Sequence, residues 1–316
     1  MSDALREAAE TAIRQCMALD AGESCAIVTD DERLPIGDAL YEVASDVTDD
    51  AVLLRYPPGD QHGTEPPAPV AAAMADADVV LAPTTKSLSH TRARERACEA
   101  GARAATLPGI TEDVMIAGLD ADYAAIERHC QDVFDQVADA DTIRVTAPAG
   151  TDLTVEPGDR EWLTDTGMVH DAGDFSNLPA GEVFVSPETA EGTYVVDGTM
   201  MPHGRLDDQI RFEVEDGYVT HISDDAVREQ VEAGREAVGR DAANLAELGI
   251  GTNVGVTELV GSVLLDEKAA GTVHVAIGDD ASIGGDTEAP LHLDGIIREP
   301  TVWADGEIVD LPTVDR

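Results

Sequence analysis

The first part of the chain alternates between helix-like and strand-like segments. Apolar residues recur at helical spacing over residues 3–19, 35–46, 70–77, 90–101 and 112–138. Continuous apolar runs lie between them, at 25–29, 51–54, 79–82 and 104–107. Short buried strands that alternate with helices are typical of a parallel sheet covered by helices. We therefore predict a small parallel α/β domain over residues 1–140.

The pattern changes at residue 141. Short alternating segments follow at 143–146, 153–155, 183–185, 194–196, 210–214, 218–222 and 272–277, and another lies near His292. Turn signals such as Pro-Gly and Asp-Gly separate many of them, and one helix is expected at about 224–246. Period-two alternation with close turns indicates an antiparallel sheet. We therefore predict an α/β N-terminal domain plus a β-rich α+β C-terminal domain over residues 141–316, mostly antiparallel.

The charge of the chain restricts its partners and its solvent. Acidic residues number 64 and basic residues 20, which gives a net charge of −44. Binding of nucleic acid or of an anionic membrane needs clustered Lys and Arg, so neither partner is expected. The acids are dispersed and the only lysines are Lys86 and Lys268, which suits a salt-rich cytoplasm where self-repulsion is screened. We find no signal-peptide pattern and no spanning run, and expect a soluble cytoplasmic protein.

Candidate chemistry begins with one short motif, His292-Leu293-Asp294. On a strand, His292 and Asp294 share a face, and an imidazole with a carboxylate suits a divalent metal ion. His274 lies on another alternating segment, opposite its bulky apolar row, and Glu182 does the same on a third. A solvated strand face explains each of these patterns as well as a metal site does.

Several longer blocks carry a resemblance to a known family. They are Asn177–Phe184 (NLPAGEVF), Ala246–Asn253 (AELGIGTN), Asp266–Lys268 (DEK) with Gly271–His274 (GTVH), His292–Asp294 (HLD) and Pro300–Val302 (PTV). In kind and order they are similar to the M29 family of metallo-aminopeptidases. The resemblance covers residues 177–306 and is weaker before them.

The resemblance implies a metal-dependent aminopeptidase acting on peptides. Carried over motif by motif, the metal ligands fall on Glu182, Glu247, His274, His292 and Asp294. They would hold two divalent ions, Zn²⁺, Co²⁺ or Mn²⁺, that activate a water molecule. Glu267 is the candidate for moving a proton to the leaving amine. The resemblance also implies a homodimer.

Departures from the family keep two other interpretations open. Ala281 stands where the family has an active-site tyrosine, although the polar loop 279–282 could supply a substitute ligand, and the chain is shorter than typical members. The same superfamily contains iron(II) dioxygenases that open 2,5-dihydroxypyridine rings, for which His274, His292 and Asp294 would supply a facial triad. A non-catalytic metal-binding relative is the third interpretation. We favour the aminopeptidase, because a single iron has no need of Glu182 and Glu247 as ligands.

Overall fold

A computed structural model describes residues 1–313. Each of its two compact units is built from two stretches of chain: residues 1–127 with 165–180 make unit 1, and residues 128–164 with the chain from Gly181 onward make unit 2. This division differs from the single boundary predicted at residue 140. The reason is that the stretch 165–180 carries a strand of the parallel sheet of unit 1.

The helices lie in both parts of the chain, and several of them begin at a side-chain cap. In the described residues they are α1 (Asp3–Glu10), α2 (Leu34–Ser45), α3 (Ala68–Asp76), α4 (Arg92–Glu99), α5 (Glu112–Leu119), α6 (Tyr123–Val137), α7 (Asp225–Val238) and α8 (Val263–Asp266). A π-helical turn at Thr11–Cys16 continues α1, and 3-10 turns lie at Gly239–Ala243 and Ala281–Ile283. The side chains of Ser2, Thr91, Thr111 and Asp224 accept the backbone N–H three residues on, in α1, α4, α5 and α7.

Two of the predicted helices were wrong in extent. The helix predicted at 112–138 is two helices, because α5 ends at Leu119 and the Asp122 side chain accepts N–H groups at the start of α6. The helix predicted at 224–246 ends at Val238, where Gly239 has a φ of 71°. In both cases a local stop signal overrides an apolar periodicity that continues past it.

The strands of the described residues are short. They are β1 (Cys25–Asp30), β2 (Ala51–Tyr56), β3 (Val79–Thr84), β4 (Arg103–Pro108), β5 (Ile143–Thr146), β6 (Asp152–Glu156), β7 (Leu163–Asp165), β8 (Phe175–Asn177), β9 (Glu182–Val185), β10 (Thr189–Val196), β11 (Thr199–Met200), β12 (Gly204–Arg205), β13 (Ile210–Glu215), β14 (Tyr218–Ile222), β15 (Leu245–Gly251), β16 (Val273–Gly278), β17 (His292–Ile297), β18 (Thr301–Ala304) and β19 (Glu307–Ile308).

Unit 1 is built around a five-stranded parallel sheet of order β2-β1-β3-β4-β8. Strands β1 and β3 are buried at every position, which explains their unbroken apolar sequences. Side chains of the sheet such as Val28 and Val80 pack with Met74 of α3 and Ala97 of α4 in one apolar cluster. The predicted parallel α/β architecture is confirmed.

Unit 2 contains two seven-stranded sheets. The first has the order β14-β13-β10-β6-β5-β18-β19, and its paired rings Tyr194 and Phe212 stack with centroids 4.4 Å apart. The second, called sheet C below, has the order β12-β11-β17-β16-β15-β9-β7. Its central pairs are antiparallel, so the predicted β-rich second part is also confirmed. Among the described residues, no helix combines the length and the apolar character that crossing a membrane requires.

Candidate metal centre

Four neighbouring strands of sheet C place the predicted ligands on one face. Ala276 of β16 is paired with Glu247 of β15 on one side and with Asp294 of β17 on the other. Residues paired directly across a sheet point to the same face, as do residues two apart on one strand. His274 and His292, each two residues from a member of this row, therefore share its face.

Glu182 joins the same face from the next strand. It lies on β9 opposite Gly251 of β15, two residues beyond the Gly249 that is paired with His274. All five predicted ligands are thus brought together by antiparallel register, although β9 and β17 are more than a hundred residues apart in sequence. Whether they hold metal ions stays a prediction.

The five side chains form an alternating row of carboxylates and imidazoles. His274 Nε2 lies 3.5 Å from Glu182 Oε2 and 3.1 Å from Glu247 Oε1. His292 Nε2 lies 3.4 Å from Glu247 Oε2 and 3.3 Å from Asp294 Oδ1. Glu247 is therefore the centre of the row, with one imidazole on each of its oxygens.

Gly249 makes room for one of the imidazoles. A Cβ at this position would lie 2.1 Å from both Cε1 and Nε2 of His274. The ring therefore lies against the bare backbone of β15, where any other residue would displace it. The glycine in the AELGIGTN block is explained by this close approach.

The second nitrogen distinguishes the two histidines. His292 Nδ1 donates to the backbone oxygen of Asp279 at 2.7 Å, which orients the ring with Nε2 facing Glu247 and Asp294. A backbone carbonyl on the far nitrogen is the usual way in which a metal-binding imidazole is oriented. His274 Nδ1, by contrast, is buried without a hydrogen-bond partner among the described residues.

Lys268 lies at the other end of the row. Its ammonium group, 4% exposed, donates to Glu182 Oε1 and lies 2.9 Å from Glu267 Oε1. The structure thus places Glu267, the predicted proton-transfer residue, in an ion pair beside the cluster, and its role stays a prediction. Lys268 stands in the DEK block, but the sequence analysis assigned it no role. Its rarity was a usable signal, because the chain has only two lysines.

Buried charges shift one another's protonation. Burial opposes the charged form of Glu247, but hydrogen bonds from His274 and His292 hold its pKa below the ordinary value. Burial likewise opposes charging of His274, yet contact with Glu247 and the charge of Glu182 raise its pKa to about 9. Burial raises the pKa of Glu182 to about 8, against the attraction of Lys268. Strongly shifted groups of opposite sign are typical of functional sites.

The donor set fits a divalent metal ion. One oxygen or nitrogen from each of Glu182, Glu247 and His274 lies within 4.8 Å of the other two, and the same holds for Glu247, His292 and Asp294. With Glu267, the four carboxylates and the Lys268 ammonium carry a formal charge of −3 when both imidazoles are neutral. Without a metal ion, the raised pKa values of Glu182 and His274 mean that bound protons offset part of this charge, and a divalent cation would take the place of those protons. In addition, Glu182 Oε2 is buried without a hydrogen-bond partner among the described residues.

The loop 279–282, which could have supplied a substitute ligand, has other contacts. The side chain of Asp279 accepts the N–H of Ala289 at 3.0 Å. The carboxylate of Asp280 accepts hydrogen bonds from Ser186, Asn244 and Thr287. Ala281, where the aminopeptidases have a tyrosine, is exposed. What the loop contributes to the cluster is a backbone oxygen, which no side-chain pattern in the sequence could have indicated.

Comparison with known proteins gives one family match. The model of the family described as NicX, 2,5-dihydroxypyridine 5,6-dioxygenase, matches residues 5–312. A curated relative from Pseudomonas putida KT2440, a 2,5-dihydroxypyridine 5,6-dioxygenase, is 24% identical over 186 residues. That alignment covers 54% of this chain and 53% of the relative, so it spans only about half of the relative's length.

Solved structures share the fold. The 2,5-dihydroxypyridine dioxygenase of Pseudomonas putida KT2440 superposes with a TM-score of 0.78 at 20% identity, covering 98% of this chain and 96% of that one. AmpT of Thermus thermophilus superposes with a TM-score of 0.66 at 21% identity, covering 97% and 99%. The resemblance to the M29 family is thus supported at the level of the fold.

The predicted aminopeptidase activity was wrong. The family match and the curated relative both point to the dioxygenase that we had kept as an alternative. The peptide substrate and the hydrolytic role of a metal-bound water have no support once that activity is set aside. The error has a physical origin. The motif blocks encode the face of sheet C on which the predicted ligands lie, and one fold can carry such a face in proteins of different chemistry.

Proposed function

Because the chain belongs to the 2,5-dihydroxypyridine 5,6-dioxygenase family, we propose that it is a non-haem iron(II) dioxygenase. Its substrate would be a dihydroxylated pyridine ring. In this proposal His274, His292 and Asp294 hold the iron, as two imidazoles and one carboxylate do in many oxygen-using iron enzymes. The observation that carries it is the family match over residues 5–312, which includes all three residues.

The geometry of the cluster is consistent with this role. The three residues lie on adjacent strands β16 and β17, on one face, with Glu247 Oε1 and Oε2 between the two Nε2 atoms. Of the five predicted ligands, His292 has the most exposed side chain, at 34%, whereas that of His274 is 1% exposed. A ring would therefore approach the cluster from the His292 side.

Bound iron(II) would supply the redox chemistry that lets dioxygen react with an aromatic ring. The chain's own residues orient and charge the site. The carbonyl of Asp279 keeps a proton on Nδ1 of His292, so that Nε2, once it has lost its own proton, would be the atom that binds the metal. Glu247, with its lowered pKa, keeps a negative charge between the two imidazoles.

Glu182 has a place in this site although a single iron does not need it as a ligand. Lys268 holds its Oε1, which leaves Oε2 in the cluster, 3.5 Å from His274 Nε2 and without a hydrogen-bond partner among the described residues. Glu182 and Lys268 thus form an ion pair at the buried end of the row, away from the exposed His292 side, and Glu182 need not be a ligand of the iron.

Atoms balance in the overall reaction. One ring and one dioxygen combine into a single open-chain product, with the C5–C6 bond broken, as the relative's name specifies, and both oxygen atoms incorporated. The electrons that dioxygen takes up come from the ring, so no external reductant is consumed.

The test is oxygen uptake by the iron-loaded protein. Protein purified in molar KCl is loaded anaerobically with Fe²⁺, and metal per chain is counted. We expect one iron per chain, one O₂ consumed for each 2,5-dihydroxypyridine, and two ¹⁸O atoms in the product from ¹⁸O₂. Replacing His292 or Asp294 with alanine should lower the rate by at least about 10²-fold.

His221→Ala is the matched control, because His221 is an exposed strand histidine outside sheet C. It should leave iron content and rate unchanged. A stoichiometrically loaded wild type that consumes no oxygen with 2,5-dihydroxypyridine or with related hydroxylated rings would refute the proposal.

A further inference from the structure

We propose that Asp280 is a positioning residue for the metal centre. Its carboxylate holds the peptide group that orients His292, and it ties that group to the strands that present Glu182 and Glu247. This inference rests on the proposed metal site but not on the identity of the ring substrate.

Asp280 is a buried acid whose hydrogen bonds come from neutral donors. The residue is 3% exposed. Oδ1 accepts the backbone N–H of Thr287 at 2.6 Å. Oδ2 accepts the Ser186 hydroxyl at 3.0 Å and the Asn244 amide at 2.8 Å. A buried carboxylate is costly unless such bonds satisfy it, so its position is narrowly determined.

The donors lie next to strands of the cluster. Ser186 directly follows β9, the strand of Glu182. Asn244 directly precedes β15, the strand of Glu247. Thr287 belongs to the segment that leads into β17. One carboxylate therefore connects three of the four strands that present the predicted ligands.

The loop closes tightly around the same carboxylate. Gly285 donates its N–H to the backbone oxygen of Asp280 at 2.9 Å. A Cβ on Gly285 would lie 2.0 Å from the carboxylate carbon of Asp280. No side chain fits between the backbone at Gly285 and the Asp280 carboxylate, so a movement of the loop displaces the carboxylate.

The connection to His292 is a single planar group. The carbonyl that accepts from His292 Nδ1 belongs to Asp279, and the amide nitrogen bonded to that carbonyl carbon is the backbone nitrogen of Asp280. That N–H donates to the Thr287 oxygen at 3.0 Å, while the Thr287 N–H donates to the Asp280 side chain. Loss of the carboxylate contacts thus frees the peptide plane that sets the His292 ring.

Asp280→Asn tests this arrangement with little change in volume. An amide cannot accept at both positions, and an NH₂ at the Oδ2 position would face the NH₂ of Asn244. We expect the apparent Kd for Co²⁺ to rise about tenfold, as for other supports of metal ligands. We also expect the visible absorption bands of the Co²⁺ protein, which report ligand geometry, to shift. Ser186→Ala removes one hydrogen-bond donor to Asp280. It should change the Co²⁺ Kd and the absorption bands in the same direction, but less strongly.

Thr151→Val is the matched control in unit 2. Thr151 is a buried residue directly before β6, and its hydroxyl accepts the Val195 N–H of β10 at 2.9 Å. Strands β6 and β10 belong to the sheet that carries no predicted ligand. It should lower Tm but leave the Co²⁺ bands and the Kd unchanged.

The outcomes separate the two proposals. If Asp280→Asn and Ser186→Ala lower Tm but keep the wild-type Co²⁺ bands and affinity, Asp280 is a structural residue only and the inference is overturned. If the wild type itself binds no Co²⁺, the metal centre is overturned instead. Should Asp280→Asn fail to fold, the Ser186→Ala result decides between a positioning and a purely structural role.

Discussion

Gly249 shows that the absence of a side chain contributes to this site as much as any ligand does. Its bare Cα lets the His274 ring lie against β15, with Nε2 directed at Glu247 and Glu182. The ligands themselves could be named from sequence, because each stands in a recognisable motif. The contact that seats His274 could not, since it joins two strands whose pairing the sequence does not reveal.

Gly249→Ala should therefore damage the site without damaging the fold. The new methyl group would overlap the His274 ring, which has to rotate away from Glu247. We expect metal affinity to fall about 10- to 100-fold, measured as Co²⁺ or Fe²⁺ titration, with unchanged far-UV circular dichroism. Gly22→Ala is the control, because nothing lies within 4 Å of a Cβ there. Equal metal affinity in the two variants would show that the close approach has no role.

Among the elements, strands with a clear apolar pattern could be predicted from the sequence, and a strand without such a pattern could not. Strands β1 to β4 of unit 1 were located from their apolar runs, because each is short and bounded by turn signals. Strand β15, which carries Glu247, was not predicted as a strand. Its first two residues were assigned to the end of the helix predicted at 224–246. Its sequence, LAELGIG, is apolar on both faces apart from that glutamate, so it shows no strand alternation.

One ion pair of unit 1 links the segment before β1 to the start of β4. Arg103 forms two hydrogen bonds of 2.8 Å with the carboxylate of Glu23, and a third, of 3.1 Å, with the Met17 carbonyl. These bonds with Arg103 hold the pKa of Glu23 below its ordinary value. The side chains are 12% and 26% exposed, so the pair is less screened by salt than a surface pair.

Glu23→Gln should destabilise the protein in a pH-dependent way. A carboxyl with a lowered folded pKa contributes its stability above the unfolded value, about 4.3, and loses it as the pH falls through the folded value. We expect the free energy of unfolding to drop by about 1 kcal/mol at pH 7. The difference from wild type should shrink steadily below about pH 4.3 in urea titrations at constant KCl.

Glu10→Gln provides the comparison, because Glu10 pairs with Arg6 on an exposed helix face. It should change the unfolding free energy by less than about 0.5 kcal/mol at either pH. A Glu23→Gln effect that is equally large at low pH would show that the carboxylate charge is not its source.

For the molecule as a whole, the charge of −44 is the dominant physical fact. The screening length falls from about 10 Å in 0.1 M salt to about 3 Å in 1 M salt, so repulsion between dispersed carboxylates weakens strongly over that range. The salt-adapted cytoplasm and the homodimer both stay predictions.

Stability should therefore rise steeply with salt. We expect Tm to increase between 0.1 M and 3 M KCl, and the protein to lose its fold or aggregate at the low end. Thermal unfolding followed by circular dichroism at a series of KCl concentrations checks this, and light scattering on the same samples gives the oligomeric state. A Tm independent of KCl would mean that the charge does not govern stability.

The sequence by itself determined the succession of elements, the solvent to which the surface is suited and the identities of the candidate ligands. These depend on local periodicity, on composition and on short motifs, all of which are readable along the chain. Tertiary structure decided which residues meet: the register of β9, β15, β16 and β17, the seat of His274 at Gly249 and the Asp280 contacts behind His292. These depend on pairing between strands distant in sequence. The face of sheet C that carries the predicted ligands also suits more than one reaction. The motifs alone therefore led to the aminopeptidase, which was the wrong activity.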